Sequence, residues 1–335
     1  MSEYDKKLVE DFWSNVDCSS SDKNFYCFPP IRSRSCKLIF GEGDAGRRDW
    51  CEYWTVEKYL KDKIPFEKCL SICCGFGEIE RILSRLNVAH KIVGTDIAPG
   101  AIQKARENAI AEQLTNIEYY VADLNEERLP EKEYDIIWAN GALHHIKELD
   151  FVIQNLKNAL KDGGYLISNE YVGPKYQQVG KRQQEIINAV KHLLPMELSL
   201  KNTIQTQPHS ESSFFSKVKR YFRKKDNQLT KDNEDIYGKI WEMPAIQYFL
   251  TYDPSECVNS NNIIPTLRKH FNIIDVKYFD GSIVMYALDS QFYDNFDFNN
   301  GNHQKLLELL FHIENTLIAI GELPRDNAHI ICKKE

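Results

Sequence analysis

The stretch Leu70-Ser71-Ile72-Cys73-Cys74-Gly75-Phe76-Gly77 is followed, nineteen residues after Gly77, by Asp96 at the end of Ile92-Val93-Gly94-Thr95-Asp96. An apolar run bounded by glycines reads as a buried parallel strand whose turn lets backbone pass close to a ligand. A carboxylate about 20 positions on, at the tip of a second apolar run, is placed to take the two ribose hydroxyls of a nucleotide-type ligand. Such a chain must lay two parallel strands side by side with their carboxyl ends at one site.

The rhythm around this pair supports that reading. Strands are expected at Lys68 to Cys74, Lys91 to Asp96, Ile117 to Val121, Asp135 to Ala139 and Tyr165 to Ser168. Amphipathic segments between them carry Ile79, Ile82, Leu83 and Leu86, then Ala101 to Leu114 behind Pro99, then Leu149 to Leu160 before a Lys161-Asp162-Gly163-Gly164 stop. Alternating strands and helices imply a parallel sheet with helices on both faces and right-handed connections. The expected fold is α/β: a Rossmann-like, seven-stranded, mostly parallel sheet with a helical cap inserted between strands five and six. Late strands are expected at Phe271 to Phe279 and Ala328 to Lys333, with a further strand candidate at Ile283 to Leu288 and a helix from Gln304 to Ile320.

At 335 residues the chain is long for one domain. Four regions are expected: 1–64, a mostly irregular arm around one short helix with a lead-in helix from Asp49 to Lys61; 65–171, the ligand-binding core; 172–270, the cap; and 271–335, completing the core. A net charge of −7 argues against nucleic acid as a partner. Nine cysteines without a CxxC pair, and a polar N-terminus, lead to the expectation of a reduced, cytoplasmic protein with no metal ligands. One stretch, 213–225, interleaves Phe214, Phe215, Tyr221 and Phe222 with Lys and Arg. That pattern suits an interfacial helix held at the inner membrane face, the plainer reading being a solvated helix packed on its own cap. The oligomeric state is left open.

Taken in order, the glycine loop, Asp96, Ala122-Asp123-Leu124, Trp138-Ala139-Asn140-Gly141-Ala142-Leu143-His144-His145-Ile146 and Leu160-Lys161-Asp162-Gly163-Gly164 resemble the class I S-adenosylmethionine-dependent methyltransferases over about residues 65 to 172. Asn169 to Pro174, Asp253-Pro254-Ser255-Glu256 and Gly321-Glu322-Leu323-Pro324 are similar to a bacterial subgroup associated with glycan or natural-product pathways. The resemblance implies S-adenosylmethionine as cofactor and S-adenosylhomocysteine as product. It implies that Cys73, Cys74, Gly75 and Gly77 pass under the methionine part, Asp96 and Ile97 hold the ribose, Asp123 and Leu124 read and cover the adenine, and Asn140 and Gly141 flank the sulfonium. Two positions depart from the pattern: Cys73 stands where the family usually has its first glycine, and Ser71 where it often has an acidic residue; the Cβ of Cys73 either loosens the approach to the cofactor or, on an extended backbone, is harmless.

Methyl transfer is an in-line displacement that needs alignment, and a base only if the acceptor must lose a proton. His144 and His145, opening the segment after strand four, are candidate catalytic residues for a hydroxyl acceptor, with satisfied packing as the plainer role. Glu170 and Tyr171, after strand five, are candidate acceptor contacts, and Glu170 a candidate base. The expected activity is O-methylation of a sugar, glycan or other small-molecule acceptor. Two further readings stay open: a cofactor-binding protein without turnover, and a nicotinamide oxidoreductase, against which Glu80 stands where a third glycine is wanted.

Overall fold

The computed structural model describes residues 3–15, 24–43, 50–199 and 240–335. The basic stretch 213–225 lies outside the described residues. Seven strands form one sheet in the order β3-β2-β1-β4-β5-β7-β6: β1 Phe66–Ile72, β2 Ala89–Asp96, β3 Ile117–Val121, β4 Tyr134–Asn140, β5 Leu160–Tyr171, β6 Asn272–Phe279 and β7 Asn327–Lys333. The first five are parallel, while β7 runs antiparallel to both β5 and β6, so the sheet is mixed. The chain leaves β1 toward β2 and β3, then returns to place β4 on the opposite side of β1. That reversal opens a crevice at the carboxyl ends of β1 and β4, where open α/β sheets bind ligands.

The central strands form where they do because both faces are covered. In β4, Ile136, Ile137, Trp138 and Ala139 are all essentially inaccessible, giving the continuous apolar run of a doubly buried parallel strand. One face packs Leu70, Ile72 and Ile137 against α6 (Leu149–Ala159) and the helix Ile263–His270. The other packs Cys69, Ile92 and Trp138 against Leu83 of α4 (Glu78–Arg85) and against Val56 and Leu60. The lead-in helix is α3 (Cys51–Thr55), running into a π turn over Val56–Leu60. Ile263, Ile264 and Leu267, from the segment between β5 and β6, belong to the sheet's core, so this part of the segment completes the sheet instead of covering it.

A second core lies beside the sheet. It joins Phe28 and Ile31, α7 (Lys181–Lys191), and residues from Ile283 to Leu310, so the helix Gly301–Ala319 serves this core rather than the sheet. The described residues of the N-terminal region are largely helical where a mostly irregular arm is expected: α1 spans Glu3–Asn15 and α2 spans Pro29–Phe40. Pro29 and Pro30 open α2 where their missing N–H groups cost nothing, and Gly41, in left-handed geometry, closes it with a bond to the Lys37 carbonyl at 3.0 Å.

The strand candidate at Ile283 to Leu288 is instead a helical turn, Val284–Ala287. Its cause lies elsewhere in the chain: Glu314 Oε2 accepts from the N–H groups of both Ile283 and Val284 at 2.7 Å, capping a helix start. Glu314 Oε1 accepts from Arg34 at 3.0 Å, and Arg34 also pairs with buried Asp280. This buried triad ties the Asp280-Gly281 turn at the end of β6 to the second core. Among the described residues, no helix is long and apolar enough to cross a membrane.

Candidate active site

The loop after β1 takes three left-handed residues, Cys73 (φ 49°), Gly75 (φ 51°) and Gly77 (φ 76°). Cys73 is therefore not extended, and the expectation that its side chain sits harmlessly is corrected. A non-glycine residue there carries strain on the order of 1 kcal/mol. The conformation aims the Gly75 N–H at Asp96 Oδ2, 2.9 Å away, while the Ala98 N–H donates to Oδ1 at 2.9 Å. Each oxygen thus keeps a lone pair, and Asp96 lines a cavity of about 110 Å³. Burial pushes the Asp96 pKa up, against the pull of those backbone donors.

Of the expected ligand residues, Cys73, Gly75, Asp96, Ile97, Asp123, Leu124 and Gly141 line this cavity, and so does His145. Three do not. Cys74 packs under the sheet, its sulfur 3.2 Å from where a Gly94 Cβ would stand. Gly77 serves packing, since a Cβ there would lie 2.4 Å from the Tyr119 hydroxyl. Asn140 keeps a buried Oδ1 without a protein partner at the end of β4.

Sequence reasoning missed Val9, Trp13 and Ser255, which also line the cavity. The first two come from α1, which packs on α5 (Pro99–Ala111) and lies over the mouth of the site. Lys6, from the same helix, reaches Asp123 Oδ2 at 2.9 Å. The Trp13 indole N–H donates to Asp253 Oδ2 at 3.1 Å, and its ring meets His145 edge-on at 5.3 Å. The aromatic pair Phe12-Trp13 and the Asp253 to Glu256 motif were visible signals, yet nothing local says which crevice they close.

The side facing away from β2 is built on Glu170. This residue is buried, and its carboxylate accepts from the backbone N–H groups of Ala142 and Leu143 at 2.8 Å and from His144 Nδ1 at 2.7 Å. It holds the turn Leu143–His145 in place instead of facing the crevice as expected. Tyr171 is likewise buried, its hydroxyl paired with that of Tyr286 at 3.2 Å. His145 Nδ1 lies 3.0 Å from Ser255 Oγ, and Ser255 donates its hydroxyl proton to Asp253 Oδ1 at 2.5 Å. With that proton committed, His145 must donate from Nδ1, and its Nε2 is left as a lone pair. Burial first, then the neighbouring His144, hold the His145 pKa below the ordinary imidazole range.

Residues 67–236 match the family model of a methyltransferase domain, a little over half of the chain. The chain belongs to that family. Among curated relatives, phosphoethanolamine N-methyltransferase 1 of Triticum aestivum is 25% identical over 168 residues, covering 48% of this chain and 32% of the relative. Phosphoethanolamine N-methyltransferase 3 of Arabidopsis thaliana is 27% identical over 167 residues, with 48% and 33% covered. The chain spans about a third of the length of these relatives. A solved structure of a putative sarcosine dimethylglycine methyltransferase from Galdieria sulphuraria aligns with a TM-score of 0.48 at 14% identity, covering 99% of both chains.

For a methyltransferase domain the cofactor is S-adenosylmethionine, and the residues present fit it. A Cβ at Gly75 would meet nothing within 4 Å, so backbone is open to the ligand there. Asp96 offers two lone pairs to a diol, Leu124 offers an apolar face, and Asp123 stands beside it. The nicotinamide alternative falls away with the family match.

Proposed function

We propose that this methyltransferase acts on a hydroxyl of a small polar acceptor, a sugar or glycan-like molecule. The cofactor supplies an electrophilic methyl group carried on a sulfonium. In this reading Asp96 orients the ribose, Asp123 and Leu124 hold the adenine, and Gly141 lets the chain after β4 pass close to the reacting centre. Residues Asp253 to Glu256, from the segment between β5 and β6, form the acceptor wall together with His145. Glu170 and His144 position that wall.

One observation carries the reading: His145, fixed through Ser255 and Asp253, shares a single cavity with Asp96 and Gly141. An imidazole so placed can handle the proton of a hydroxyl acceptor. The curated relatives are named for an amine acceptor bearing phosphate. Against a phosphate, no Lys or Arg among the described residues lines the cavity, and Lys6 at its edge is engaged by Asp123. The test is transfer of labelled methyl from S-adenosylmethionine to a panel of sugars, glycans and phosphoethanolamine, read by mass spectrometry. Methylated hydroxyl products support the proposal. Transfer confined to the amine would refute the hydroxyl assignment.

A further inference from the structure

His144, His145 and Glu256 each offer one ligand atom, and these atoms all lie within 4.8 Å of one another. His145 Nε2 and Glu256 Oε2 are 3.7 Å apart, too far for a hydrogen bond and close to the edge of a metal coordination shell, which is about 3–3.5 Å at metal–ligand distances of ~2.1 Å. We propose that these three side chains bind a divalent first-row transition ion of the zinc type at the acceptor side of the cavity.

The surroundings are those a metal site needs. Histidine ligands usually donate their second ring N–H to a carboxylate or another acceptor, which fixes the tautomer and turns the free nitrogen toward the ion. His144 does so from Nδ1 to Glu170 Oε2 at 2.7 Å, and His145 from Nδ1 to Ser255 Oγ at 3.0 Å. Glu170 is itself locked by the backbone N–H groups of Ala142 and Leu143, and Ser255 by Asp253. Glu256 accepts from Gln177 at 3.2 Å and from the Cys257 thiol at 3.0 Å. Every ligand therefore has a partner that orients it.

The donor set selects the class of ion. Two imidazole nitrogens and one carboxylate suit zinc and its neighbours, whereas magnesium and calcium prefer oxygen throughout. Three protein ligands leave coordination positions open. Since His145 and Ser255 also line the cavity, an acceptor hydroxyl entering from that side meets the open positions. There the ion would orient the hydroxyl and lower its pKa, and because it would occupy Nε2 of His145 it would take the place of the bare imidazole in handling the hydroxyl proton. This role rests on the methyl-transfer reading; the binding of the ion does not.

The test is titration of cobalt(II), as a coloured stand-in for zinc, into the full chain after treatment with a chelator. One equivalent with visible absorption of protein-bound cobalt is expected. Glu256→Gln and His145→Gln are each expected to weaken binding at least tenfold while keeping the melting temperature of the metal-free protein. Millimolar magnesium should not compete. Absence of a saturable site, or unchanged affinity in both variants, would overturn the proposal, as would equal competition by magnesium. If one variant fails to fold, the other decides. Calorimetry with S-adenosylhomocysteine on the same samples keeps the two readings apart: cobalt bound without cofactor binding counts against methyl transfer and leaves the metal site standing.

Discussion

Asp96 holds the glycine loop and the start of α5 through one bond from each, and offers what remains of its carboxylate to the cavity. Asp96→Ala should lower affinity for S-adenosylhomocysteine by about 100- to 10,000-fold, as expected for losing two charge-assisted hydrogen bonds of ~1.5–3 kcal/mol each. Calorimetry would show it, and an unchanged affinity would mean that the ribose lies elsewhere. Gly77 makes the opposite kind of prediction. Gly77→Ala should destabilise the fold by about 1–3 kcal/mol in denaturant unfolding, through contact with the Tyr119 ring and a strained φ. Tyr119→Phe should recover only part of that loss, because the ring carbon also stands within 3 Å. At Cys73, substitution by glycine should change stability by under ~1 kcal/mol, strain relief offsetting lost packing, whereas a β-branched valine at φ 49° should cost clearly more. The spacing of Gly75, Asp96 and Asp123 made these positions readable from sequence. From sequence Gly77 reads as a ligand residue, because a glycine kept for a ligand and a glycine kept for a tyrosine look alike until the tyrosine, more than forty residues later, is in place.

Among the elements, α1 matters most to the site. It lies across the cavity through Lys6, Val9 and Trp13, so a bound cofactor would be enclosed by it. Removing residues 1–15 should speed dissociation of S-adenosylhomocysteine at least several-fold in stopped-flow experiments, with the melting temperature of the ligand-free protein little changed. Trp13 fluorescence in the intact chain should respond to the same ligand. The second core depends on one buried carboxylate. Glu314→Ala strips two backbone N–H groups and Arg34 of their partner, and a loss of about 3–5 kcal/mol is expected. These elements also mark where sequence reading stopped. Strands β1, β2, β4 and β5 are legible because burial at the sheet centre writes an apolar run into each, and the edge strand β3, with Tyr120 and Val121 exposed, because it is rich in β-branched and aromatic residues. Residues Ile283 to Leu288 form an equally apolar run, which periodicity alone cannot assign to strand or buried helix; Glu314 decides it from thirty residues away. The prolines opening α2 look irregular in sequence because its buried positions, Ile31, Ser35 and Ile39 among them, mix polar with apolar.

For the whole molecule, the pH response follows from carboxyl groups kept in the interior. Glu52 and Glu80 are buried, and desolvation raises each to about 7, while Asp326 rises to about 6. A raised carboxyl pKa means that the folded state holds more protons than the unfolded chain. That contribution to stability is complete below the ordinary carboxylate range and is lost as pH rises through 6 to 7. His329, held down to about 4 by burial, works in the other direction between about 4 and 6.5, but the carboxyl groups outnumber it. The melting temperature should therefore fall between about pH 5 and pH 7, and Glu80→Gln should flatten the fall by an amount on the order of 1–3 kcal/mol. The placement of β7 has a different consequence, for the order in which the fold can be completed. β7 inserts between β5 and β6, both of which precede it in the chain. Until residues 327–333 arrive, the edge of β5 offers its unpaired N–H and C=O groups to any passing strand and β6 has no neighbour at all. A nascent or truncated chain ending before Asn327 should thus lose two strands together and present a sticky sheet edge, making chaperone capture or aggregation its expected fate, to be read by sedimentation of a chain stopped after Asp326.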